Sequence, residues 1–359
     1  MNISDILRIM CSRDGSDLFL KVGNVPYLRL YGELVPLPDF PALTADDLKT
    51  FTKSITDEKH RQIFDQEMDT DFAMDIEGLD RFRVSVFYQR GVPSMVMRRI
   101  KKNVPDFTTL NLPEEVLKHL SQERRGLVLL AGQAGHGKST TIASMVEYMN
   151  QNVSRHVLTV EDPIEFTFTD KKSIVNQREL GIDVASYPAA LKQITLQSPD
   201  VVFIGTIRDL ETMTAALMAA EMGILVLSTV HTVNAAQTVQ RLINFFPPHQ
   251  HNEIRMQFSF LLKGVISIRL VPRCDIAGRI PALEIMTLTP TISRLIREGA
   301  AADVTRYLEE GDLYGMCSFK QSLAALVKDG KVTAEEAYKY ADSREDLELE
   351  IKGIKRLQR

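Results

Sequence analysis

The spacing of apolar residues predicts an N-terminal domain that mixes helices and strands. Apolar residues between positions 3 and 10 recur at helical spacing, which predicts a short first helix. The apolar runs that follow are separated by turns that contain glycine, which is typical of strands. The predicted strands are residues 17–22, 27–31, 71–76, 81–88 and 94–100, and a second predicted helix, 45–64, lies between them. We therefore expect an α+β domain over residues 1–101.

A different pattern follows this domain. Residues 102–113 have no strong period and contain Pro105 and Pro113, so this segment is predicted to be a linker. Beyond it, short apolar runs alternate with helical segments, and the runs are residues 127–131, 156–160, 201–205 and 224–229. Strands that alternate with helices imply a parallel sheet with helices on both faces. We expect this α/β fold in a second domain, residues 114–359.

The last third of the chain is predicted to be mostly helical. A small hairpin is expected from residues 270–271 and 282–286, which flank a turn at Gly278. The predicted helices are residues 235–245, 249–262, 291–298, 318–329 and 334–340. Residues 345–359 run from acidic to basic and are expected to form an exposed helix or a frayed tail with a solvated surface.

Length and composition exclude several classes of protein. The chain has 359 residues, 44% of them hydrophobic, and a formal net charge of −4, which is typical of a soluble protein of two or three domains. No apolar run reaches the roughly 20 residues that cross a bilayer, and no signal peptide begins the chain, so we expect a cytoplasmic protein. Its cysteines, Cys11, Cys274 and Cys317, form no C-x-x-C pair and indicate no zinc site or disulfide framework. The acidic balance does not support a nucleic-acid partner, and we predict none.

Residues 132–139 carry the strongest chemical signal in the chain. Their sequence, Gly-Gln-Ala-Gly-His-Gly-Lys-Ser, fits G-x-x-x-x-G-K-[ST] between a predicted strand and a predicted helix, 140–150. Glycines let the backbone curl so that N–H groups point at phosphate oxygens, and the helix N-terminus adds partial positive charge. Lys138 is expected to reach the β- and γ-phosphates of ATP, and Ser139 to ligate Mg²⁺. The predicted nucleotide-binding residues are Gly132, Gln133, Ala134, Gly135, His136, Gly137, Lys138, Ser139 and Thr140.

Polar residues follow three of the predicted parallel strands. Glu161, Asp162 and Glu165 follow the second strand, residues 206–209 follow the third, and His231 follows the fourth. The loops at the carboxyl ends of such strands converge on the ligand, so we expect these residues near the P-loop. Two alternatives stay open, since an acidic loop can be merely solvated and a lone histidine can be structural.

The order of these motifs resembles the secretion ATPases, and within them the PilT/PilU-like type IV pilus retraction ATPases. Residues 161–166, Glu-Asp-Pro-Ile-Glu-Phe, are similar to the Asp box of that family, and residues 228–232, Ser-Thr-Val-His-Thr, to its His box. Residues 177–179 resemble a loop associated with the Asp box, and residues 291–298 resemble the retraction motif A-I-R-N-L-I-R-E with three substitutions. Pilus-assembly and type II secretion ATPases typically add a tetracysteine zinc module, for which this chain has too few cysteines.

The resemblance implies a fold and an assembly. It implies a RecA-like domain built on a P-loop parallel sheet, and a PAS-like N-terminal domain, on the likeness of residues 15–18, 81–84 and 89–91. It further implies a homohexameric ring with ATP at the joint between domains, peripheral to the inner-membrane base of a pilus machine. An inner-membrane platform protein is the implied partner, and a paralogous retraction ATPase is a further candidate.

The same resemblance implies roles for single residues. Glu165 matches the Asp-box glutamate and is the predicted group that acts on the attacking water. Glu161, also a catalytic candidate, and Asp162 are expected to help hold Mg²⁺ through water, and His231 to sense the γ-phosphate. Arg83 and Arg98 match arginines that family members donate toward the phosphates. For these two arginines, a salt bridge or a solvated strand face remains the alternative.

The departure from the family pattern that matters most is at position 206. The strand at 201–205 normally ends in Gly-Glu, and that glutamate is the usual general base; here the residue is Thr206. Losing a positioned general base typically removes about 10²–10⁴-fold in rate. Two functions therefore remain open: a hexameric motor that powers pilus retraction and twitching motility by ATP hydrolysis, and a weakly hydrolysing accessory subunit that works with a partner ATPase.

Overall fold

The protein divides into two compact units, residues 1–103 and 104–359, in a computed structural model that describes residues 2–30, 32–311 and 314–354. Side-chain contacts of Thr195 are also outside this description. Each unit has its own buried core, so each is described separately. In the part of the chain that is described, no helix is both long and apolar enough to traverse a bilayer.

The N-terminal unit is an antiparallel sheet with three helices. The helices are α1 (Ile3–Ser12), α2 (Ala45–Ile55) and α3 (Glu58–Glu67), and the strands are β1 (Asp17–Lys21), β2 (Tyr27–Leu30), β3 (Glu33–Pro36), β4 (Asp69–Asp75), β5 (Arg81–Gln89) and β6 (Val92–Ile100). The sheet order is β3-β2-β1-β6-β5-β4, and every pairing is antiparallel. The PAS-like assignment stays a prediction, and Tyr31, placed in a strand by the sequence pattern, lies outside the described residues.

The single helix predicted for residues 45–64 is wrong, because the chain contains two caps. Thr44 begins α2 in a capping box with Asp47. Asp57 then begins α3 by accepting a hydrogen bond from the His60 N–H, in an extended backbone conformation that no helix can continue through. The apolar residues keep helical spacing across the segment, but the polar N-cap residue Asp57 divides it into two helices.

The C-terminal unit is a seven-stranded sheet between helices. Its strands are β7 (Gly126–Ala131), β8 (His156–Glu161), β9 (Ile174–Glu179), β10 (Val201–Ile204), β11 (Leu225–Val230), β12 (Leu262–Pro272) and β13 (Arg279–Thr287). The order is β13-β12-β7-β11-β10-β8-β9, and all pairings are parallel except β12 with β13. The predicted α/β fold with a mostly parallel sheet is confirmed.

Helices cover both faces of this sheet. They are α4 (Glu114–Gln122), α5 (Lys138–Asn152), α6 (Tyr187–Lys192), α7 (Ile194–Gln197), α8 (Leu210–Glu221), α9 (Ala235–Ile243), α10 (His251–Leu261), α11 (Pro290–Glu298), α12 (Val304–Leu308), α13 (Phe319–Lys328), α14 (Ala334–Tyr340) and α15 (Arg344–Ile351). One core lies under α4 and α5, and a larger one lies under α6 and α8 to α12. Strands β7, β10 and β11 are buried at every position, as expected for strands covered on both sides.

Three predictions for this unit need correction. The small hairpin is longer than predicted and consists of β12 and β13. Strand β12 begins directly after α10, near the end of the helix predicted for 249–262. Residues 177–179, predicted as a loop, lie in edge strand β9. The solvated tail is wrong for α15, because Leu347 is fully buried against a small core with Phe319 and Leu323. Residues 355–359 lie outside the described part.

Candidate nucleotide site

The P-loop connects the buried strand β7 to the N-terminus of α5. Two of its glycines are required by the backbone. Gly137 caps α5 with a φ of 85°, a left-handed conformation that favours glycine. At Gly132, with φ 146°, a Cβ would lie 2.7 Å from the Ile268 carbonyl oxygen of β12. Because Gly137 has no side chain to cap the helix, the first N–H groups of α5 remain for an anionic ligand.

Lys138 is held across its own loop. Its Nζ donates to the carbonyl oxygens of Gly132 and Gln133, both at 2.8 Å. The residue is only 7% exposed, and burial lowers the pKa of its ammonium while the charge of Glu165 works in the opposite direction. The ammonium is thereby fixed over the loop, where a phosphate would meet it.

Two predicted site residues, distant in sequence, are in direct contact. The Ser139 hydroxyl donates to Glu165 Oε1 at 2.9 Å. The structure thus brings the expected Mg²⁺ ligand to the carboxylate expected to act on water. Asp162, the other predicted metal residue, makes no described hydrogen bond to Ser139; its charge acts instead on Tyr187 of α6.

These oxygens fit Mg²⁺, which usually takes one or two protein ligands together with substrate phosphates. The Ser139 hydroxyl and the Glu165 carboxylate supply hard oxygen donors at the P-loop. Among residues 2–30, 32–311 and 314–354, no group of three or more His, Cys, Asp or Glu side chains is arranged to hold a metal by itself. The residues present therefore suit an ion shared with a nucleotide.

Glu161 is buried in the sheet rather than open to the P-loop. It is 6% exposed, and its Oε1 accepts from Thr159 Oγ1 at 2.6 Å and from Gln177 Nε2 at 3.2 Å. Burial raises the pKa of Glu161 to about 7, against the effect of these hydrogen bonds. Gln177 also donates to the Phe166 carbonyl oxygen at 2.8 Å and so connects β9 to the Asp-box loop.

The end of β10 is occupied by a pair of hydroxyl groups. Thr229 Oγ1 donates to the Gly205 carbonyl oxygen at 2.6 Å. Its oxygen lies 2.9 Å from Thr206 Oγ1 and accepts the hydroxyl of that residue. The Thr206 hydroxyl is therefore hydrogen-bonded at the carboxyl end of β10, and the residue offers no carboxylate.

His231 lies at the end of β11, beside the P-loop. Burial, first, and then the charges of Lys138, Arg208 and Arg241 lower the pKa of His231, while a hydrogen bond with the Gly132 backbone raises it. The imidazole is therefore neutral near pH 7. Such a cationic environment suits an anionic ligand.

His136, predicted to bind nucleotide, attaches the P-loop to the neighbouring strand. Its Nδ1 accepts the Leu270 N–H of β12 at 3.1 Å. Burial, followed by the charges of Lys138 and Arg279, lowers the pKa of His136, which keeps this nitrogen an acceptor. Arg279 of β13 also donates to the Gly135 carbonyl oxygen at 3.5 Å.

The remaining predicted P-loop residues are less constrained. Gln133, Ala134 and Gly135 are exposed at the tip of the loop, and Thr140 is half-buried in the first turn of α5. The Thr140 carbonyl oxygen accepts from Ser144 Oγ at 3.1 Å. Backbone atoms of these residues, rather than buried side chains, are available to a ligand.

Arg83 and Arg98 belong to the N-terminal unit. Arg98 Nε donates to Asp17 Oδ1 at 2.9 Å, and Arg83 lies 3.8 Å from Asp71. Both residues therefore form the salt bridges given above as the alternative. A contribution of either residue to phosphate binding stays a prediction.

Sequence reasoning missed three residues of this site. The sequence pattern predicts a loop with no role for Gln177 and indicates Arg208 only as part of a polar strand end. Arg241 was not considered, although it donates to the His231 carbonyl oxygen at 3.3 Å. Arg241 lies on α9, ten positions beyond His231. The sequence signal for it is a basic residue in the last turn of the helix that directly follows the predicted strand end.

The fold and the loop geometry define a P-loop nucleotide-binding protein. A family model described as "Type II/IV secretion system protein" matches residues 52–355. The chain belongs to this family.

Relatives and solved structures that match nearly the whole chain include two pilus ATPases and one pilus motor. The type IV pilus ATPase PilU of Pseudomonas aeruginosa is 39% identical over 352 residues, covering 98% of this chain and 92% of PilU. The type IV pilus retraction ATPase PilT of the same organism is 37% identical over 337 residues, covering 94% of this chain and 97% of PilT. A crystal structure of the pilus retraction motor PilT with bound ADP has a TM-score of 0.89 at 40% identity, covering 97% of this chain and 99% of that one. The predicted resemblance is confirmed.

Proposed function

We propose that this chain is an ATPase motor that powers type IV pilus retraction. The observation that carries the proposal is the hydrogen bond of 2.9 Å between Ser139 and Glu165, which puts a carboxylate beside the P-loop hydroxyl. Membership of the secretion family and the likeness to PilT and PilU support the choice of machine. Its substrate is ATP, with Mg²⁺ as the ion.

The P-loop binds the phosphates in this proposal. The N–H groups at the start of α5 and the ammonium of Lys138 face the same anion, and Lys138 exchanges its two carbonyl partners for phosphate oxygens. Mg²⁺, when bound, neutralises charge on the phosphates. The Ser139 hydroxyl would hold it, with Asp162 contributing through water.

Glu165 orients and deprotonates the attacking water in this proposal, and His231 reads the γ-phosphate. Glu165 is exposed at the site and close to Ser139, so a water can reach it. A neutral imidazole has one N–H, so His231 would donate it to a γ-phosphate oxygen in place of the Gly132 backbone. Glu161 supports the loop of Glu165 through Gln177.

The assembly is proposed from the family. The chain forms a homohexamer in the cytoplasm, peripheral at the inner-membrane base of a pilus machine, where a platform protein is its partner. Arg83 and Arg98 act toward the phosphates from a neighbouring subunit. No nucleic acid takes part.

A second candidate function rests on the end of β10. Because Thr206 is bonded to Thr229 and offers no carboxylate, the chain could instead hydrolyse ATP weakly and assist a paralogous retraction ATPase. Nucleotide binding is the same in both functions, since the P-loop is complete. The two functions differ in the turnover of the isolated chain.

Phosphate release by the purified chain tests the proposal. The wild type should release phosphate from ATP with Mg²⁺ at a rate that Lys138→Ala removes, while Lys192→Ala, at an exposed lysine of α6, should not change it. Wild-type release no faster than Lys138→Ala, with nucleotide binding intact, would establish the accessory function. Light scattering of the protein at micromolar concentration, with ATP present, measures its mass and so tests the ring. The mass of a monomer would rule the ring out.

A further inference from the structure

A buried carboxylate outside the nucleotide site supports the loop that carries His231. Glu284 lies on β13 and is 2% exposed. Its Oε1 accepts the N–H of Ala235, the first residue of α9, at 2.7 Å. Residues 231–234, which we call the His-box loop, end directly before this hydrogen bond.

Arg269 of β12 contacts the same loop from the same side. Its Nη2 donates to the Val233 carbonyl oxygen at 3.5 Å and pairs with Asp342 at 2.7 Å. Its Nη1 donates to the Tyr340 carbonyl oxygen at 2.6 Å, and the guanidinium lies 3.7 Å from the centre of the Phe319 ring. The position of Arg269 is therefore fixed by the connection between α14 and α15.

The opposite side of the His-box loop meets the P-loop. Val230, directly before His231, pairs with Ala131 in the parallel sheet, so the loop begins beside Gly132. After burial, the charge of Lys138 contributes most to lowering the pKa of the imidazole there.

The loop is thus held between the phosphate-binding residues in front and Glu284 behind. Arg269, which bonds to Val233, also lies close enough to His136 of the P-loop to contribute to lowering the pKa of that imidazole. A movement of its rear supports would move His231.

Helix capping alone does not account for Glu284. Asn234 already caps α9, because its Oδ1 accepts the Gln237 N–H at 2.9 Å. A buried carboxyl is costly, and burial raises the pKa of Glu284 to about 7. An apolar side chain of similar size would avoid that cost but would leave the Ala235 N–H, which the Asn234 cap does not satisfy, without this acceptor. The carboxyl thus fixes the place where α9 begins.

We propose that Glu284 is a positioning residue that holds the His-box loop against the P-loop, so that His231 can distinguish ATP from ADP. The inference rests on the role of His231 proposed above. Glu284 does not touch the nucleotide. It acts through the Ala235 N–H, and Arg269 with Asp342 completes the support.

Binding of a non-hydrolysable ATP analogue and of ADP, each with Mg²⁺ and measured by calorimetry on the full chain, tests the proposal. Glu284→Ala should weaken binding of the analogue roughly tenfold, the usual cost of one such hydrogen bond, and leave ADP binding within about twofold. Glu284→Gln, which keeps the acceptor oxygen, should restore the wild-type ratio. In combination with His231→Ala, Glu284→Ala should add no further loss.

Ser267→Ala provides the matched control. Ser267 is fully buried and lies directly across the strand pair from Glu284, so its truncation disturbs the same place without removing the bond to Ala235. Its ratio of affinities should equal that of the wild type. An equal loss in Ser267→Ala and Glu284→Ala, or no loss in Glu284→Ala, would overturn the proposal.

Amide hydrogen exchange of the nucleotide-free chain gives a second readout. Exchange at residues 231–235 should be faster in Glu284→Ala than in the wild type and unchanged in Ser267→Ala; unchanged exchange in both would also overturn the proposal. If Glu284→Ala does not fold, Glu284→Asp replaces it, because the shorter side chain moves the acceptor oxygen away from Ala235 by one methylene. The same affinity ratio and the same exchange at residues 231–235 then decide the proposal. A wild type that binds no nucleotide would contradict the proposed function, while exchange would still decide the role of Glu284.

Discussion

The carboxyl ends of β7 and β10, separated in the sheet only by β11, differ in what they keep for ATP chemistry. At the end of β7, the curled loop, Lys138 and Ser139 are all in place. At the end of β10, Thr206 and Thr229 share a hydroxyl pair where the related ATPases are expected to have a carboxylate. Under the proposed function, the end of β7 binds the phosphates, and a carboxylate at the end of β10 would contribute only to hydrolysis. A sequence can therefore retain the first while the second changes.

The largest expected effect separates nucleotide binding from hydrolysis and comes from Glu165, in the loop after β8. Glu165→Gln should lower phosphate release by about 10²–10⁴-fold, because it removes the proposed base, and should leave ATP affinity almost unchanged. Release and binding are measured on the same preparation. Glu211→Gln, at an exposed carboxylate in the first turn of α8, is the control, and an unchanged rate in Glu165→Gln would assign the base elsewhere.

Restoring the carboxylate at β10 tests the other end. Thr206→Glu should raise turnover by about tenfold or more if the lost base limits the rate, since a positioned base contributes at least that much. Affinity for ATP should not change, because the P-loop is untouched. Steady-state phosphate release over a range of ATP concentrations separates the two effects. A rate equal to that of the wild type would show that Glu165 alone suffices.

The buried Glu161 predicts a pH dependence of stability. Burial raises its pKa from 4.5 to about 7, so the folded state binds a proton that the unfolded state releases between these values. The contribution of Glu161 to stability should therefore be largest below pH 4.5 and decline as the pH rises through 7, by about 3 kcal/mol in all. Urea unfolding at pH 5 and pH 8 should show Glu161→Gln gaining stability over the wild type only at pH 8. The same gain at both values would contradict the assignment.

The smallest expected effect concerns the hydroxyl pair itself. Thr206→Val keeps the shape of the side chain and removes its hydrogen bond to Thr229, which still bonds to the Gly205 carbonyl oxygen. Unfolding free energy should fall by about 1 kcal/mol, and ATP affinity should stay the same. A large loss of affinity would show that the two strand ends are not independent.

Sequence reasoning succeeded where the signal is local. The P-loop is contiguous, and the loops after parallel strands meet at one edge, so the contact between Ser139 and Glu165 follows from strand order. Edge strand β9 has no apolar run, since only Ile174 and Val175 of its six residues are apolar, and its residues 177–179 are predicted as a loop. The Asp57 cap could not be predicted, because apolar residues on both sides of it keep a helical spacing. The link from Glu284 to Ala235 joins residues far apart in sequence, and no pattern within either segment indicates it.

The packing of α15 predicts the effect of a truncating mutation. Leu347 of α15 is fully buried with Phe319 and Leu323, so the end of the described chain is part of a core. A premature stop codon after Ser343 would not merely trim a charged tail. It would uncover the apolar surface of α13, and the shortened product should be degraded as a misfolded protein even though its P-loop is intact.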